Sequence, residues 1–400
     1  MNQQNVKTEL TRLINEALPI IKSNNQRKDF MEALFYSVLD KPVATHIAAF
    51  TYSEFEIIEA PVKYLFKLKE VSEKYSYSYI KSQIISLYHQ LLTDKITLKE
   101  CLNKILTNLD NSPEDFFIIS EIENIRIIDD LEYEIVDSVI KILKEEDLPF
   151  KKDQFKTFLK DMDIGNKPCI WSRVKAGDME KAKELAFHNF LVSFNLLRLY
   201  APVFKPLLKG HLLTGKHEFI VFNKTKNIVS SNISTLGTLR LNHAYLNKDF
   251  YDNIKIAGIE QLKFDSLMSK VTKESLYWFG LGLEEKYPAA SLVNFVTVLE
   301  AILKKKDEKE EIQRAIAERG SILLYNKFEQ RKEAVKQLKL IYDARSKIVH
   351  TGALNGDKDL SNLAGNYAKA ILIKFISKIK YFDGDFKKFI DNLDDTKLKG

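Results

Sequence analysis

From about Leu262 onward the chain carries apolar residues at three- and four-residue spacing almost without a break, a period that only helices packed by one face can use. The predicted helices run from Ser275 toward Glu285, Ala289 to Lys304, Glu310 to Tyr325, Gln330 to His350 and Leu360 to Lys380, with a shorter one from Asp385 to Leu393. In the fourth, Ala334, Val335, Leu338, Ile341, Tyr342, Ile348 and Val349 form the stripe, and Arg345 fills the gap between Tyr342 and Ile348. Two neighbouring helices repeat the anomaly. Arg319 is the missing member of the stripe Ile312, Ala315, Ile316, Ile322 and Leu323, and Glu300 lies beside Leu292, Phe295, Leu299 and Ile302.

An inward guanidinium needs a carboxylate, a partner subunit or a phosphate, because burying its charge unpaired is costly. One carboxylate against two guanidiniums leaves surplus positive charge, so the expectation is a phosphate-binding site. The alternative is an internal ion-pair network that only fixes helix packing. Gly352 is a C-terminal stop, which puts His350 in the last helical turn, where the negative end of the dipole favours imidazolium. An imidazole there suits acid or base work near neutral pH.

Charge points to the same region. The whole chain carries +6, and residues 257–400 hold 26 basic against 21 acidic side chains. The excess gathers at Arg331, Lys332, Lys336, Lys339 and Lys347, and again at Lys374, Lys378 and Lys380, which predicts an anionic partner such as nucleic acid. The plainer reading is a solvated, lysine-rich helix face.

The fold class expected is mainly α, with a mixed α/β middle and a C-terminal helical bundle. Three regions are predicted: 1–110 mainly helical, 111–260 mixed and a candidate sensor or regulatory domain, and 261–400 all helical. Residues 3–40 read as two helices, the first with Leu10, Leu13, Ile14, Leu18 and Ile21 as its stripe and the next including Phe30 to Val38. A β-leaning segment, Ile47 to Ile58, precedes helices from about Pro61 to Leu109, and Asn111-Ser112-Pro113 marks a boundary. Phe116 to Ile128 and Leu131 to Ile140 read as strands around a turn at Asp129-Asp130. Cys169 to Val174 is a further strand, Asp178 to Leu199 a helix, and His217 to Ser230 a hairpin.

Other motifs carry little chemistry. His211 and His217 lack further ligands at metal spacing, Gly280-Leu281-Gly282 has no preceding strand, and Cys169 with His188 forms no recognisable thiol site. Asp110, Asp161, Asp163 and Glu114 form no nuclease carboxylate pattern, and Tyr75, Tyr77 and Tyr79 read as packing. No metal or cofactor is predicted. Two cysteines without pairing spacing, a polar start from Met1 to Leu10 and no membrane-length apolar run lead to the expectation of a cytoplasmic protein.

The C-terminal third resembles a HEPN domain of the Apea-like type, whose signature is an Arg and a His four to six residues apart near the end of a long helix. Here it is Arg345 to His350 within Tyr342-Asp343-Ala344-Arg345-Ser346-Lys347-Ile348-Val349-His350-Thr351-Gly352. Phe295 to Leu303 and Ile316 to Leu323 are similar to its preceding helix segments, in the same order. The resemblance implies a HEPN-like helical bundle and a metal-independent endoribonuclease, dimeric, with Arg345 and His350 of both chains lining one cleft. It implies RNA as substrate and a role as a bacterial anti-phage or abortive-infection effector, or as a toxin held by an antitoxin, with a phage-derived trigger as a further partner.

RNA brings its own nucleophile, so His350 would serve as base or acid and Arg345 would stabilise the phosphorane. Glu300, Arg319, Tyr342 and Ser346 would support them. Ser346 departs from the family, in which many nuclease members carry Asn, Asp or His after the Arg; its hydroxyl is read either as a phosphate contact or as a backbone partner. The competing expectation is a non-catalytic HEPN module that binds RNA or a protein.

Overall fold

The computed structural model describes residues 3–24, 52–93, 96–129, 131–144, 147–148, 167–202, 204–208, 219–223, 228–231, 244–305, 308, 311–352 and 356–398. Across them the chain is mainly helical with a mixed α/β region, and no described helix is long and apolar enough to cross a membrane. It divides into two compact units, Met1–Ile118 with Arg173–Leu185 and Val221–Ser230, and Ile119–Ser172 with Ala186–Ile220 and Ser231–Gly400.

The first unit is built on α1 (Gln3–Asn24), α2 (Tyr52–Lys67), the single turn α3 (Lys69–Ser72), α4 (Tyr77–Leu92) and α5 (Leu98–Asp110). Leu10, Ile14 and Ile21 of the predicted stripe are fully buried, against Leu65, Ile80, Ile84, Tyr88 and Leu102. Local chemistry sets the helix starts: Ser76 caps α4 by accepting from the Tyr79 N–H, and Thr97 with Glu100 forms a capping box on α5. Tyr75 is buried, and Tyr77 and Tyr79 pack against the same core. The β-leaning reading of Ile47 to Ile58 does not survive at Tyr52–Ile58, which opens α2. The reason is the period: Ile58, Val62 and Leu65 are buried at helical spacing, and that face outweighs the strand propensity of the local residues. Residues 47–51 and the stretch Phe30 to Val38 lie outside the described residues.

Strands β1 (Glu114–Glu123) and β5 (Pro168–Ala176) each begin in one unit and end in the other. In the second unit, β3 (Tyr133–Ile135) and β4 (Ser138–Ile142) make an antiparallel hairpin, and β4 pairs with β5, placing Val139 opposite Trp171. β2 (Ile125–Ile127) instead pairs in parallel with β9 (Ala244–Leu246). The two strands read from sequence are therefore each divided. Asn124, at φ 69°, breaks the first between β1 and β2, and the tight hairpin turn is at Val136-Asp137, with Val136 at φ 57°. The remaining short strands are β6 (Leu207–Leu208), β7 (Ile220–Asn223) and β8 (Ile228–Ser231). Of the turn expected near Asn223 to Lys226, Asn223 ends β7 and residues 224–226 lie outside the described residues.

Helix α6 (Met179–Tyr200) follows β5, and α7 (Lys248–Ile254) leads through a π-helical turn, Lys255–Ile259, to a short α8 (Glu260–Leu262). The rest of the second unit is helical: α9 (Leu267–Glu284), α10 (Pro288–Leu303), α11 (Ile312–Leu324), α12 (Phe328–Thr351), α13 (Lys358–Lys378) and α14 (Phe386–Leu398). Their stripes meet in a core that includes Phe295, Leu299, Ile302, Ile316, Leu338, Ile341, Ile371 and Phe375. Gly320 lets this happen, since a Cβ there would press on Leu338 of α12, Leu303 of α10 and Ile371 of α13. Gly280 and Gly282, read as a poor nucleotide loop, are helix-packing glycines; a Cβ on them would collide with Asn195 and Phe295.

Candidate functional site

The stripe of α12 is buried through Ala334, Leu338 and Ile341 and then leaves the core. Arg345 is 27% exposed, Val349 is 52% exposed and His350 is exposed. The helix ends at Gly352, in the left-handed conformation expected of a stop, with its N–H donating to the Ile348 carbonyl at 2.9 Å. Arg345 and His350 therefore sit in the last turns of a regular helix. Five residues at 100° each place them about 140° apart around its axis. Arg345 shares a face with Leu338, Ile341 and Tyr342, whereas His350 continues the face of Lys336, Lys339, Asp343, Ser346 and Lys347.

Glu300 comes to Arg345 from α10. It is 22% exposed, because the stripe that carries it turns its edge toward α12. The Tyr342 hydroxyl donates to Glu300 Oε1 at 2.9 Å, and Arg345 Nη2 donates to Oε2 at 3.5 Å. The guanidinium carbon lies 5.9 Å from the Tyr342 ring centre. Burial, and then the hydrogen bond to Glu300, push the Tyr342 hydroxyl up to about 12, so it remains a donor to that carboxylate at neutral pH. Arg345 Nε is buried without a partner. Of five guanidinium donors, Arg345 thus commits one, at long range.

Arg319 is the opposite case. It is 6% exposed, and its five donors make five bonds: Nε and Nη2 to the Asp394 carboxylate at 2.7 and 3.1 Å, Nη1 and Nη2 to Glu308 at 2.8 and 3.0 Å, and Nη1 to the Leu303 carbonyl at 2.8 Å. No donor remains for a phosphate. Lys305 adds contacts to Asp391 and Asp394 at 3.1 and 2.8 Å, so two cations face three carboxylates. Burial raises the Asp394 carboxyl, but the bonds from Arg319 and Lys305 outweigh it and hold the group below the usual carboxylate range. The expected trio of Glu300, Arg319 and Arg345 is thus two arrangements, a closed network around Arg319 and a loosely held Arg345 on Glu300.

Sequence reading missed Glu308 and Asp394. Glu308 lies between two helices and carried no periodic signal. Asp394 lies one residue beyond the expected end of the last helix, and its three-residue spacing from Asp391 beside an inward arginine was the available hint.

The residues read as RNA contacts are unequal. Lys332, Lys336 and Lys347 are exposed, and Lys339 is half-buried. Arg331 donates through Nε to the Tyr325 carbonyl at 2.8 Å and so closes the end of α11. Ser346, beside Arg345, is half-buried. Cys101 and Cys169 are buried thiols, and His188 packs against Tyr277 at 5.4 Å. Among the described residues no group of three His, Cys, Asp or Glu could hold a metal ion; His211 and His217 lie outside them. No family model, no curated protein and no solved structure matches the chain.

Proposed function

We propose that the chain is a metal-independent endoribonuclease of the HEPN type that works as a dimer, with Arg345 as the phosphate-binding cation and His350 as the proton-transfer group. The observation that carries the reading is the contrast between the two inward arginines. Arg319 is saturated, whereas among the described residues Arg345 commits a single Nη2 donor at the edge of the bundle, steered by Glu300 and Tyr342. A guanidinium held by one distant carboxylate is oriented without being neutralised, as a group that must meet a phosphorane requires.

The 2′-OH would attack phosphorus while a base takes its proton, and an acid would protonate the departing 5′-oxygen, leaving a 2′,3′-cyclic phosphate and a 5′-hydroxyl. A single chain offers one exposed His350, turned away from its own Arg345. Two copies would supply the second imidazole and bring the His350 of each toward the Arg345 of the other. The exposed Lys336 and Lys347, on the His350 face, would guide the strand. A role in bacterial defence or as a restrained toxin belongs to the same proposal and rests on the family resemblance.

A second reading, a non-catalytic module that binds RNA or a protein, is favoured by Ser346 and by the divergence of Arg345 and His350. The deciding assay is RNA cleavage in EDTA by wild type, His350→Ala and Arg345→Ala. The enzyme reading expects cyclic-phosphate ends from wild type only; intact RNA with equal binding by all three leaves the binding module in its place. Growth arrest on expression that persists in His350→Ala would also sink the catalytic explanation.

A further inference from the structure

A second basic cluster lies away from the α12 residues assigned above, where α13 ends and the chain turns into α14. Residues 374–388 contain five lysines and two aspartates. Lys388 meets Asp385 at 3.7 Å, but among the described residues the ammonium groups of Lys374, Lys378, Lys380 and Lys387 make no ion pair. Lys374 and Lys378 are one helical turn apart on the same face, and Tyr381 follows three residues later. Tyr381 is 73% exposed.

That ring is held in place. Lys378 Nζ stands 5.3 Å from its centre, and Phe382 meets it edge-on at 4.8 Å. Phe382 in turn packs on Phe389 at 5.6 Å, and Phe389 on Phe375 at 5.0 Å, both of them core residues. The turn itself is pinned by left-handed Asp383 and Gly384, with the Gly384 N–H donating to the Ile379 carbonyl at 2.8 Å. A tyrosine that only filled space would lie back on the bundle; this one is braced outward among unpaired cations.

We infer that the α13–α14 corner is a binding platform for single-stranded nucleic acid, on which a base stacks against Tyr381 while Lys374, Lys378, Lys380 and Lys387 take the flanking phosphates. Stacking on an exposed ring beside a cationic track is how strands are held without sequence preference. An anionic membrane would meet the same lysines, but membrane-surface segments insert several apolar side chains. Among residues 374–388, Tyr381 is the one large hydrophobic side chain that is exposed. The platform is independent of the Arg345 and His350 assignment.

The test is fluorescence anisotropy of the full chain with a labelled twenty-nucleotide oligo(dT), which lacks the 2′-OH and cannot be cut by the proposed chemistry, and with oligo(U) of equal length. Tyr381→Ala is expected to weaken binding of both about tenfold, and Tyr381→Phe to keep it within about twofold. Replacing Lys374, Lys378 and Lys380 together by Ala should reduce the salt dependence of log K by about two. Far-UV circular dichroism checks that the variants fold, as expected with Tyr381, Lys374 and Lys380 exposed and Lys378 half-buried. Oligo(dT) binding that is absent, or unchanged in Tyr381→Ala, overturns the inference. So does capture on phosphatidylserine vesicles that depends on Tyr381 while neither oligonucleotide binds.

Discussion

Replacing Arg319 by Met separates a closed ion-pair network from an open anion site. The substitution keeps most of the side-chain volume and removes all five hydrogen bonds, leaving Glu308 at 18% exposure and Asp394 at 34% without their main cation. Losing one member of a buried pair costs about 3–5 kcal/mol, because the partner charges remain desolvated. Asp394 keeps Lys305 and is one-third exposed, so the lower end applies, about 3 kcal/mol. Urea denaturation monitored by circular dichroism reads this directly. Removing the carboxylates as well, with Glu308→Leu and Asp394→Leu, should recover most of the loss, since an apolar replacement strands no charge.

The acid limb gives an independent check. Because the Asp394 carboxyl is held below its ordinary value, its contribution is complete above about pH 4 and disappears as pH falls through the depressed value. Arg319→Met should flatten that part of the stability profile. A loss under about 1 kcal/mol, or stabilisation of the wild type by added phosphate that Arg319→Met abolishes, would refute the closed network and return Arg319 to the ligand-binding group.

Glu300→Gln should leave stability within about 1 kcal/mol, since the amide oxygen can still accept from Arg345 and its NH2 can donate to the Tyr342 hydroxyl, yet on the proposed function it should lower RNA cleavage by removing the charge that holds Arg345; unchanged turnover would remove Glu300 as a positioning residue. Tyr342→Phe should cost about 1 kcal/mol in thermal denaturation by taking away one half-buried hydrogen bond. His350→Ala, at an exposed position, should move stability by no more than about 0.5 kcal/mol while abolishing cleavage, so a large drop in melting temperature would show a structural role instead. Gly280→Ala should destabilise by about 1–3 kcal/mol, because its Cβ would lie 2.0 Å from Asn195 Nδ2, which is itself engaged with the Leu276 carbonyl.

Much of the helical architecture was legible because it depends on residues close in sequence. Apolar spacing located the helices from α9 to α14 to within a few residues at most ends, the largest departure being the start of α9, which lies at Leu267 rather than Ser275. Gly352 stopped α12 as its φ of 66° requires. The strands were harder, for a matching reason. Ile125–Ile127 pairs with Ala244–Leu246, far along the chain, and no local signal reveals a distant partner. A two-residue turn at Val136 carries none of the usual glycine or asparagine either.

The sequence by itself determined that Arg319, Arg345 and Glu300 would lie along helix stripes, because a 3.6-residue period assigns each side chain a face. It also determined that His350 would stand in the last turn before a glycine stop. Only the tertiary structure decided which charges meet. Arg319 draws its carboxylates from Glu308 in an inter-helix segment and from Asp394 on the last helix, whereas among the described residues Glu300 is the one carboxylate that Arg345 meets. Periodicity fixes the direction in which a guanidinium points; how many of its five donors are satisfied depends on oxygens that the rest of the chain folds into reach, and that number separates a structural arginine from one free to hold a phosphate.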